Sequence, residues 1–119
     1  MKGRSVPIER DRRELFEQRA GIMRALAHPS RLMMVDELSR GERCVCELTD
    51  LVEADMSTVS KHLLVLKEAG IVDCRKEGVQ VFYRLRVPCV LNVFGCVEAV
   101  REEQVRHGSC EPAPVARRS

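Results

Sequence analysis

The side chains in this sequence best suited to chemistry are its six cysteines, two of which lie one residue apart. Cys44 and Cys46 form a Cys-Val-Cys motif within the stretch GERCVCEL. This spacing is not the CxxC of a structural zinc site, and no second CxxC or paired histidines complete one. Two neighbouring thiolates can bind a soft metal or metalloid ion, or they can be oxidised to a disulfide. The pair therefore predicts a regulatory ion site or a redox-active dithiol.

Other cysteines could complete such a site. Cys89 and Cys96 are seven residues apart, about 10.5 Å along a helix, so they share a face but cannot bind one ion together. Each needs a partner elsewhere, either the Cys44/Cys46 pair or a cysteine across a dimer axis; otherwise both pack as small apolar side chains in a dimer core. We expect Cys96 as the third sulfur ligand ahead of Cys89, and Cys74 as ordinary strand packing.

A second group of side chains has the types that read DNA. The stretch MSTVSKHLLVLKEAG carries Val59, Leu63 and Leu66 as an apolar helical stripe, together with a polar edge. Hydroxyl, amine and imidazole groups on that edge can contact phosphates and base edges in the major groove. Arg75 and Lys76, which follow in the predicted hairpin, are placed to contact phosphates of a neighbouring DNA strand. The candidate DNA-binding residues are Ser57, Thr58, Ser60, Lys61, His62, Arg75 and Lys76.

Five helices and a hairpin are predicted to position these groups. Helical spacing of apolar residues breaks at His28-Pro29, after which a second helix begins. A short third helix and the polar-edged fourth helix follow, and Gly70 closes the fourth as a C-terminal cap. Alternating polarity on both sides of Glu77-Gly78 predicts a β-hairpin. This order predicts a mainly helical winged helix-turn-helix fold with a two-stranded wing.

The chain is predicted to form one domain with short ends. A chain of 119 residues buries a single core, which is aliphatic here because the sequence has no Trp, one Tyr and three Phe. Residues 1–8 are predicted as an N-terminal arm, residues 9–106 as the DNA-binding and dimerisation domain, and residues 107–119 as a flexible tail. His107 and Cys110 lie in that tail and are left unassigned.

Composition and charge narrow the class of protein. No apolar run approaches the roughly 18 residues of a membrane helix, and the start lacks the apolar stretch of a signal peptide. We therefore expect a cytoplasmic protein with reduced thiols and no membrane partner. The net charge of +2 permits DNA binding without indicating it. No CxxC stands at a strand-to-helix junction and no phosphate-binding loop is evident. We therefore predict that the protein is not an enzyme and has no small organic substrate.

The segment after Pro88, CVLNVFGCVEAVREEQV, predicts a fifth helix that is apolar on nearly every side in its early turns. Leu91, Val93, Phe94 and Val97 spread around it, which is too much apolar surface to leave against water. We therefore predict a homodimer formed through this helix.

From about residue 19 to residue 100 the sequence resembles the ArsR/SmtB repressors. The matching stretches are ALAHPSRL, GERCVCEL, STVSKHLLVLKEAGIV and RKEGVQVFYRL, in the family's order. The resemblance implies a homodimer that binds an inverted-repeat operator in double-stranded DNA without a cofactor and leaves it when an inducer binds. ArsR-like members with Cys-Val-Cys at this place use it to sense arsenite, antimonite, cadmium or lead.

Two features depart from the family's arsenic and cadmium patterns. Thr49 replaces the third cysteine of the arsenic pattern, and the N-terminal arm carries none of the cysteines of cadmium-type members. We expect As(III) or Sb(III) as inducer, bound by Cys44 and Cys46 with Cys89 or Cys96. A cadmium or lead sensor and a thiol-redox or persulfide-responsive repressor are the alternatives, and an architectural DNA binder without a ligand is a third.

An ion at the Cys-Val-Cys motif would act on the DNA-reading helix. Residues i and i+2 of a regular helix point about 200° apart, so we expect two thiolates on one ion to distort the start of the third helix. The third helix supports the fourth, so this distortion changes the angle or spacing of the reading helices in the dimer. A coupling of about 1–3 kcal/mol or more favours the unbound state.

Overall fold

The computed structural model of the protein describes residues 5–107. Helices and strands in that range follow the order α1 (Ser5–Leu26), α2 (Pro29–Leu38), β1 (Arg43–Cys44), α3 (Val45–Val52), α4 (Met56–Glu68), β2 (Val72–Glu77), β3 (Gln80–Leu85), a short 3₁₀ helix (Pro88–Val90) and α5 (Leu91–His107). The predicted mainly helical winged helix-turn-helix fold is confirmed. Within the described range, no helix combines the length and apolar character that a membrane crossing requires.

Helix α1 begins earlier than the sequence predicts. Its first residue is Ser5, which lies inside residues 1–8, the segment predicted as an arm. Pro7 is compatible with this start because a proline in the first helical turn loses no intrahelical hydrogen bond. The available signal was Ile8, which lies seven residues before Leu15 and so continues the helical spacing of apolar residues in α1.

Local hydrogen bonds fix the break between α1 and α2. His28 has an extended backbone (φ −156°, ψ 130°), and its Nδ1 accepts a hydrogen bond from the Ser30 N–H at 3.1 Å. Pro29 follows as the first residue of α2, where its missing N–H costs no helical bond. Arg31 donates from Nε to the Ala25 carbonyl at 2.6 Å. These contacts hold the start of α2 against the end of α1.

The wing contains a third strand that the sequence does not predict. Strands β2 and β3 form the expected antiparallel hairpin, in which Glu77 lies opposite Gln80 and Gly78 adopts the left-handed φ of 64° in the turn. Strand β1 pairs with β3, with Cys44 opposite Phe82, so the strand order is β1-β3-β2. The predicted two-stranded wing is therefore a three-stranded sheet. A strand of two residues has no alternating pattern that would reveal it.

The core of the described chain up to Pro88 lies between α2, α3, α4 and the start of β2. Helix α4 buries Val59, Leu63 and Leu66 completely, at the predicted helical spacing. Leu48 of α3 and Met34 of α2 are also fully buried. Because α3 and α4 contribute to one close-packed core, α3 cannot move without moving α4 or losing packing contacts.

A pair of histidines joins α4 to the break between α1 and α2. The ring centroids of His28 and His62 lie 4.3 Å apart. Nη1 of Arg31 is 3.0 Å from Nδ1 of His62, and the guanidinium group is the donor because it has no acceptor atom. Burial lowers the pKa of His62, and the nearby His28 and Arg31 lower it further. The junction therefore favours a neutral His62 imidazole.

Residues from 89 onward belong to a second compact unit, whose described part includes α5. Val93, Val97 and Val100 of α5 are 40%, 49% and 57% exposed in the single chain. Leu91 and Phe94 are half-buried. An apolar helix face left open in this way is typical of an interaction surface.

Truncation of the α4 core should destabilise the fold. We expect Leu63→Ala to lower the free energy of unfolding by about 2–5 kcal/mol, because it empties a fully buried site. Leu64→Ala is the matched control, since the adjacent side chain is 51% exposed and such surface changes stay within about 0.5 kcal/mol. Urea denaturation at one fixed protein concentration measures both. Equal losses in the two variants would contradict the assigned orientation of α4.

Stability should fall when the pH is lowered through the titration of His62. Its pKa is lower in the folded state than its ordinary value of 6.5, so the unfolded chain binds the proton more tightly. The contribution of neutral His62 to the free energy of unfolding is therefore fully present above that ordinary value. It is lost as the pH falls through the pKa of the folded state. Thermal denaturation between about pH 8 and about pH 5 measures the loss, and His62→Gln should remove this part of the pH dependence. A variant that titrates like the wild type would assign the effect to another group.

Candidate nucleic-acid interface and thiol site

The exposed face of α4 carries four of the residues predicted to contact DNA. Ser57, Thr58, Ser60 and Lys61 are all exposed, while the buried stripe lies on the opposite side of the helix. Lys61 makes no hydrogen bond or ion pair within the described residues, so its ammonium group is available to an incoming anion. The structure thus brings these four side chains together on one surface.

Asp55 fixes where that helix starts, although it is not among the residues predicted from the sequence. Its Oδ1 accepts hydrogen bonds from the Thr58 N–H at 2.8 Å and from the Ser57 hydroxyl at 3.2 Å. The bonds from Thr58, and then that from Ser57, lower the pKa of the carboxyl group. An ionised carboxylate at a helix N-terminus also interacts favourably with the helix dipole. The available signal was an Asp directly before the apolar-periodic segment, which is typical of a helix cap.

His62 lies apart from the exposed group. The sequence predicts that it projects outward with Thr58, whereas the structure half-buries it against His28 and Arg31. The physical reason is its place on α4, three residues after the buried Val59, which puts it at the border of the core stripe. Its imidazole is therefore engaged inside the domain.

The wing arginine is also engaged. Nη2 of Arg75 lies 2.8 Å from Oε1 of Glu42, and Nη1 lies 3.0 Å from Oε1 of Glu77. The guanidinium also sits 4.8 Å from the centre of the Phe82 ring. The bond to Glu42, followed by that to Glu77, raises the pKa of Arg75. Two carboxylates thus neutralise this charge, whereas Lys76 is exposed and has no ion-pair partner in the described part of the chain.

Cys44 and Cys46 straddle the start of α3, and their sulfur atoms are joined in a disulfide. Cys44 precedes the helix with an extended backbone (φ −80°, ψ 162°), and Cys46 lies in the first turn. The two Cα atoms are 5.4 Å apart. Because Cys44 is outside the helix, the side chains meet while α3 keeps its first turn. The distortion expected from helical spacing is therefore not needed to bring the sulfur atoms together.

Neighbouring contacts hold the backbone on both sides of this pair. The Cys44 N–H donates to Oε1 of Glu47 at 2.9 Å, and Nε of Arg43 donates to Oε2 of Glu37 at 2.9 Å. Thr49, at the place of the third cysteine in the arsenic pattern, turns its hydroxyl back to the backbone carbonyl of Val45 at 2.8 Å. Thr49 therefore contributes to α3 and supplies no sulfur.

The cysteine pair opens on a groove that it shares with α4 and the tip of the wing. The groove has a volume of about 290 Å³ and is lined by Cys44 and Cys46, by Met56 and Ser60 of α4, and by residues 79–81 at the tip of the wing. Cys44 itself is buried and Cys46 is exposed, so solvent reaches the pair through Cys46. A group bound at these sulfur atoms would lie beside both α4 and the wing.

The other three thiols among residues 5–107 occupy three different elements. Cys74 is half-buried in β2, while Cys89 lies in the 3₁₀ helix and Cys96 in α5, both exposed. The seven-residue spacing between Cys89 and Cys96 therefore spans two elements and not one continuous helix. Across the residues that the structure covers, no three His, Cys, Asp or Glu side chains cluster in a way that could hold a metal ion. Cys110 and the side chain of His107 lie outside the described residues.

Comparison with known proteins relates this site to a family of regulators. Residues 28–73 match the sequence profile described as "Bacterial regulatory protein, arsR family". A biofilm growth-associated repressor of Xylella fastidiosa (strain Temecula1) is 38% identical over 109 residues, covering 87% of this chain and 96% of that protein. The cadmium resistance transcriptional regulatory protein CadC of Listeria innocua is 33% identical over 85 residues, covering 71% of each.

Not every relative is matched along its whole length. A biofilm growth-associated repressor of Agrobacterium fabrum is 48% identical over 64 residues, and this chain spans only 55% of it. Among solved structures, the homodimeric winged helix-turn-helix DNA-binding domain Mb0332 of Mycobacterium bovis is similar, with a TM-score of 0.73 and 31% identity over 94% of this chain and 100% of that domain. Together with the nearly full-length match to the Xylella repressor, these similarities show that the chain belongs to the ArsR family of winged helix-turn-helix regulators.

Proposed function

We propose that this protein is a transcriptional repressor that binds operator DNA as a homodimer and is released when a thiophilic ion binds Cys44 and Cys46. One observation carries the proposal, which is that the cysteine pair lines the same groove as the start of α4 and the tip of the wing. An event at the sulfur atoms therefore acts directly on the elements that would read DNA. Both biofilm-associated relatives are named as repressors, which supports the sign of the regulation.

The exposed face of α4 is the proposed reading surface. Ser57, Thr58 and Ser60 offer hydroxyl groups that can contact phosphates or base edges, and Lys61 offers an unpaired ammonium group. Lys76 reaches a neighbouring phosphate from the wing. A helix with one fully buried side and one exposed polar side has the shape that the major groove admits.

The other two candidates contribute to DNA binding in different ways. His62 holds α4 on the break between α1 and α2 from inside the domain. Arg75 is bound by Glu42 and Glu77, so the Nε–Nη2 edge of its guanidinium reaches a phosphate only by exchanging Glu42 for it. His62 therefore acts on the interface from within the domain, whereas the access of Arg75 to phosphate depends on its carboxylate partners.

A homodimer through α5 would present two copies of α4 to the two halves of an inverted-repeat operator. The exposed Val93, Val97 and Val100 supply an apolar face for this contact. The structurally similar Mb0332 domain is itself described as homodimeric. The dimer therefore accounts for apolar surface that a single chain leaves open.

Arsenite or antimonite is the proposed inducer. Thiolates select soft ions, and a trigonal As(III) site needs a third sulfur besides Cys44 and Cys46. We assign this sulfur to α5 or the turn before it, with Cys96 ahead of Cys89, because Cys96 lies in the apolar part of the helix, where a neutral trithiolate complex is tolerated. Cd(II) and Pb(II) are the competing ions, and the relative named for cadmium resistance supports Cd(II).

Direct oxidation of the pair is the second candidate signal, and the disulfide in the structure favours it. The Cα separation of 5.4 Å falls within the usual disulfide range of about 4.4–6.8 Å. Oxidation would remove two electrons and two protons from the thiols, which a peroxide or a persulfide accepts. Operator release would then need no ion.

DNA binding through α4 should depend on Lys61. On an operator fragment selected from random duplexes with the wild-type protein, we expect Lys61→Ala to weaken binding by on the order of tenfold. The salt slope should fall by about two, because each homodimer loses one phosphate contact per subunit. Lys67→Ala is the matched control, because Lys67 is an exposed lysine in the last turn of the same helix. Fluorescence anisotropy over a range of salt concentrations measures both. An unchanged slope in Lys61→Ala would remove it from the interface.

Sensing should depend on the cysteine pair and not on DNA contacts. We expect Cys44→Ser and Cys46→Ser to bind the operator as the wild type does under reducing conditions and to lose release by arsenite, because neither sulfur faces DNA in the proposal. Antimonite, Cd(II), Pb(II) and Zn(II) are titrated in parallel, and a peroxide is added separately without any ion. Release of the wild type by peroxide alone would favour direct oxidation as the signal. Release of either variant at the arsenite concentration that releases the wild type would exclude the pair as the sensor.

X-ray absorption of the arsenite-bound protein counts its sulfur ligands in the same set of variants. We expect three sulfurs in the wild type and two in Cys96→Ser or Cys89→Ser, since each change removes a proposed third ligand. Cys74→Ser is the control and keeps three, because Cys74 is half-buried in the sheet. Three sulfurs in both Cys96→Ser and Cys89→Ser, with a loss in Cys110→Ser, would place the third ligand in the tail.

A further inference from the structure

The carboxylate that holds the wing arginine lies two residues before the cysteine pair. Nη2 of Arg75 is 2.8 Å from Oε1 of Glu42, and Nε is 3.1 Å from Oε2. Glu42 directly precedes β1, in which Cys44 pairs with Phe82, and the Phe82 ring supports the guanidinium of Arg75 at 4.8 Å. A closed series of contacts thus runs from Cys44 through Phe82 and Arg75 to Glu42 and back along the chain.

We propose that Glu42 is a positioning residue that competes with DNA phosphate for Arg75. Bridging the sulfurs of Cys44 and Cys46 favours the arrangement in which Arg75 is bound to Glu42 and not to phosphate. This inference rests on the proposed function, and it names the wing contact that the thiol pair controls. Bridging by an ion or by a direct disulfide has the same effect in this scheme.

Competition follows from the geometry of the guanidinium group. Carboxylate and phosphate both match its fork with two parallel hydrogen bonds. In the structure Glu42 occupies Nε and Nη2 of Arg75, and Glu77 occupies Nη1. A phosphate therefore gains bidentate contact at the Nε–Nη2 edge of Arg75 only after Glu42 leaves that edge.

Glu42, not Glu77, is the carboxylate whose position responds to the cysteines. Glu77 lies on β2 with Arg75, two residues away, so that pair moves as one. Glu42 reaches Arg75 across 33 residues of sequence, and its place depends on how β1 is held against β3. The Glu42–Arg75 pair is therefore sensitive to β1, whereas the Glu77–Arg75 pair is not.

Strand β1 is held to β3 by a short pairing, so a bridge between the cysteine sulfurs has a large effect on its position. β1 has two residues, Arg43 and Cys44, each paired once with β3. A bridge from Cys44 to Cys46 ties the end of this strand to the first turn of α3 and so fixes Glu42 beside Arg75. In the structure the sulfurs are joined and Arg75 is held by Glu42. Without the bridge, β1 relies on its short pairing and on the contacts of its own side chains.

The coupling is measured as the ratio of operator Kd values with and without arsenite, in reducing buffer. We expect Glu42→Gln to lower this ratio by up to about fivefold, the range of an exposed ion pair. The reduction should disappear in the Arg75→Gln background, because a double-mutant cycle isolates the effect that passes through Arg75. An unchanged ratio in Glu42→Gln, while arsenite still releases the wild type, would overturn this inference and leave the proposed function intact.

Two matched variants separate this coupling from a general loss of negative charge. Glu77→Gln removes the other carboxylate on Arg75 and should shift both Kd values together, leaving the ratio unchanged. Asp73→Asn removes a nearby carboxylate that is paired with Arg84 at 2.8 Å instead, and should also leave the ratio unchanged. A fall in the ratio equal to that of Glu42→Gln in either variant would reduce the effect to general electrostatics and overturn the inference.

A measurement without DNA keeps the inference independent of operator release. The NMR signal of the Arg75 Nε–H should shift when arsenite is added to the reduced wild-type protein, and should not shift in Cys44→Ser or Glu42→Gln. An unchanged wild-type signal overturns the inference whatever the DNA result. A preserved shift without release of the wild type from DNA would instead overturn the proposed function alone.

Discussion

Cys44 ends strand β1 and immediately precedes the first turn of α3, and the geometry of the site depends on this junction. Its extended backbone allows pairing with Phe82 in the sheet, while its N–H is taken by the Glu47 side chain at the helix start. The same backbone conformation turns its sulfur toward Cys46. If both cysteines of the pair lay inside α3, helical geometry would point their side chains away from each other. The thiol pair is thus built from a strand end and a helix start, and it is coupled to both.

Helix α4, the proposed DNA-reading helix, is held from two sides by different physical forces. Val59, Leu63 and Leu66 anchor it by complete burial in an aliphatic core. His62 anchors it by ring contact with His28 and by the hydrogen bond from Arg31. These contacts leave the opposite face, with Lys61, exposed and unpaired among the described residues. A helix fixed in this way transmits a movement of α3 as a change in its own orientation, because a close-packed core does not absorb such shifts.

Charge on the wing is arranged differently from charge on α4. The sequence offers Arg75 and Lys76 as adjacent cations, but only Lys76 is left without a carboxylate partner in the described residues, while Arg75 carries two. Individual exposed ion pairs contribute little to stability, so this arrangement is better suited to controlling the availability of a cation than to holding the fold. Within a family that shares one fold, function resides in such sites. Here Thr49 in place of a third cysteine makes the proposed sensing site differ from the arsenic pattern.

The sequence by itself determined the elements with strong local patterns. The stripe of Val59, Leu63 and Leu66 defined α4, His28-Pro29 defined the break before α2, and alternating polarity defined the hairpin, because helix and strand periodicity are properties of short segments. The two cysteines of the Cys-Val-Cys motif were likewise evident as a pair. These features needed no knowledge of distant residues.

Only the tertiary structure decided what each side chain meets across the chain. Strand β1 exists because β3 offers it a partner, and two residues carry no pattern that could predict this pairing. Arg75 meets Glu42 across 33 residues, and His62 meets Arg31 across 31. Local spacing describes which face of an element a residue occupies, but the free or engaged state of a charge depends on neighbours that folding brings from elsewhere in the sequence.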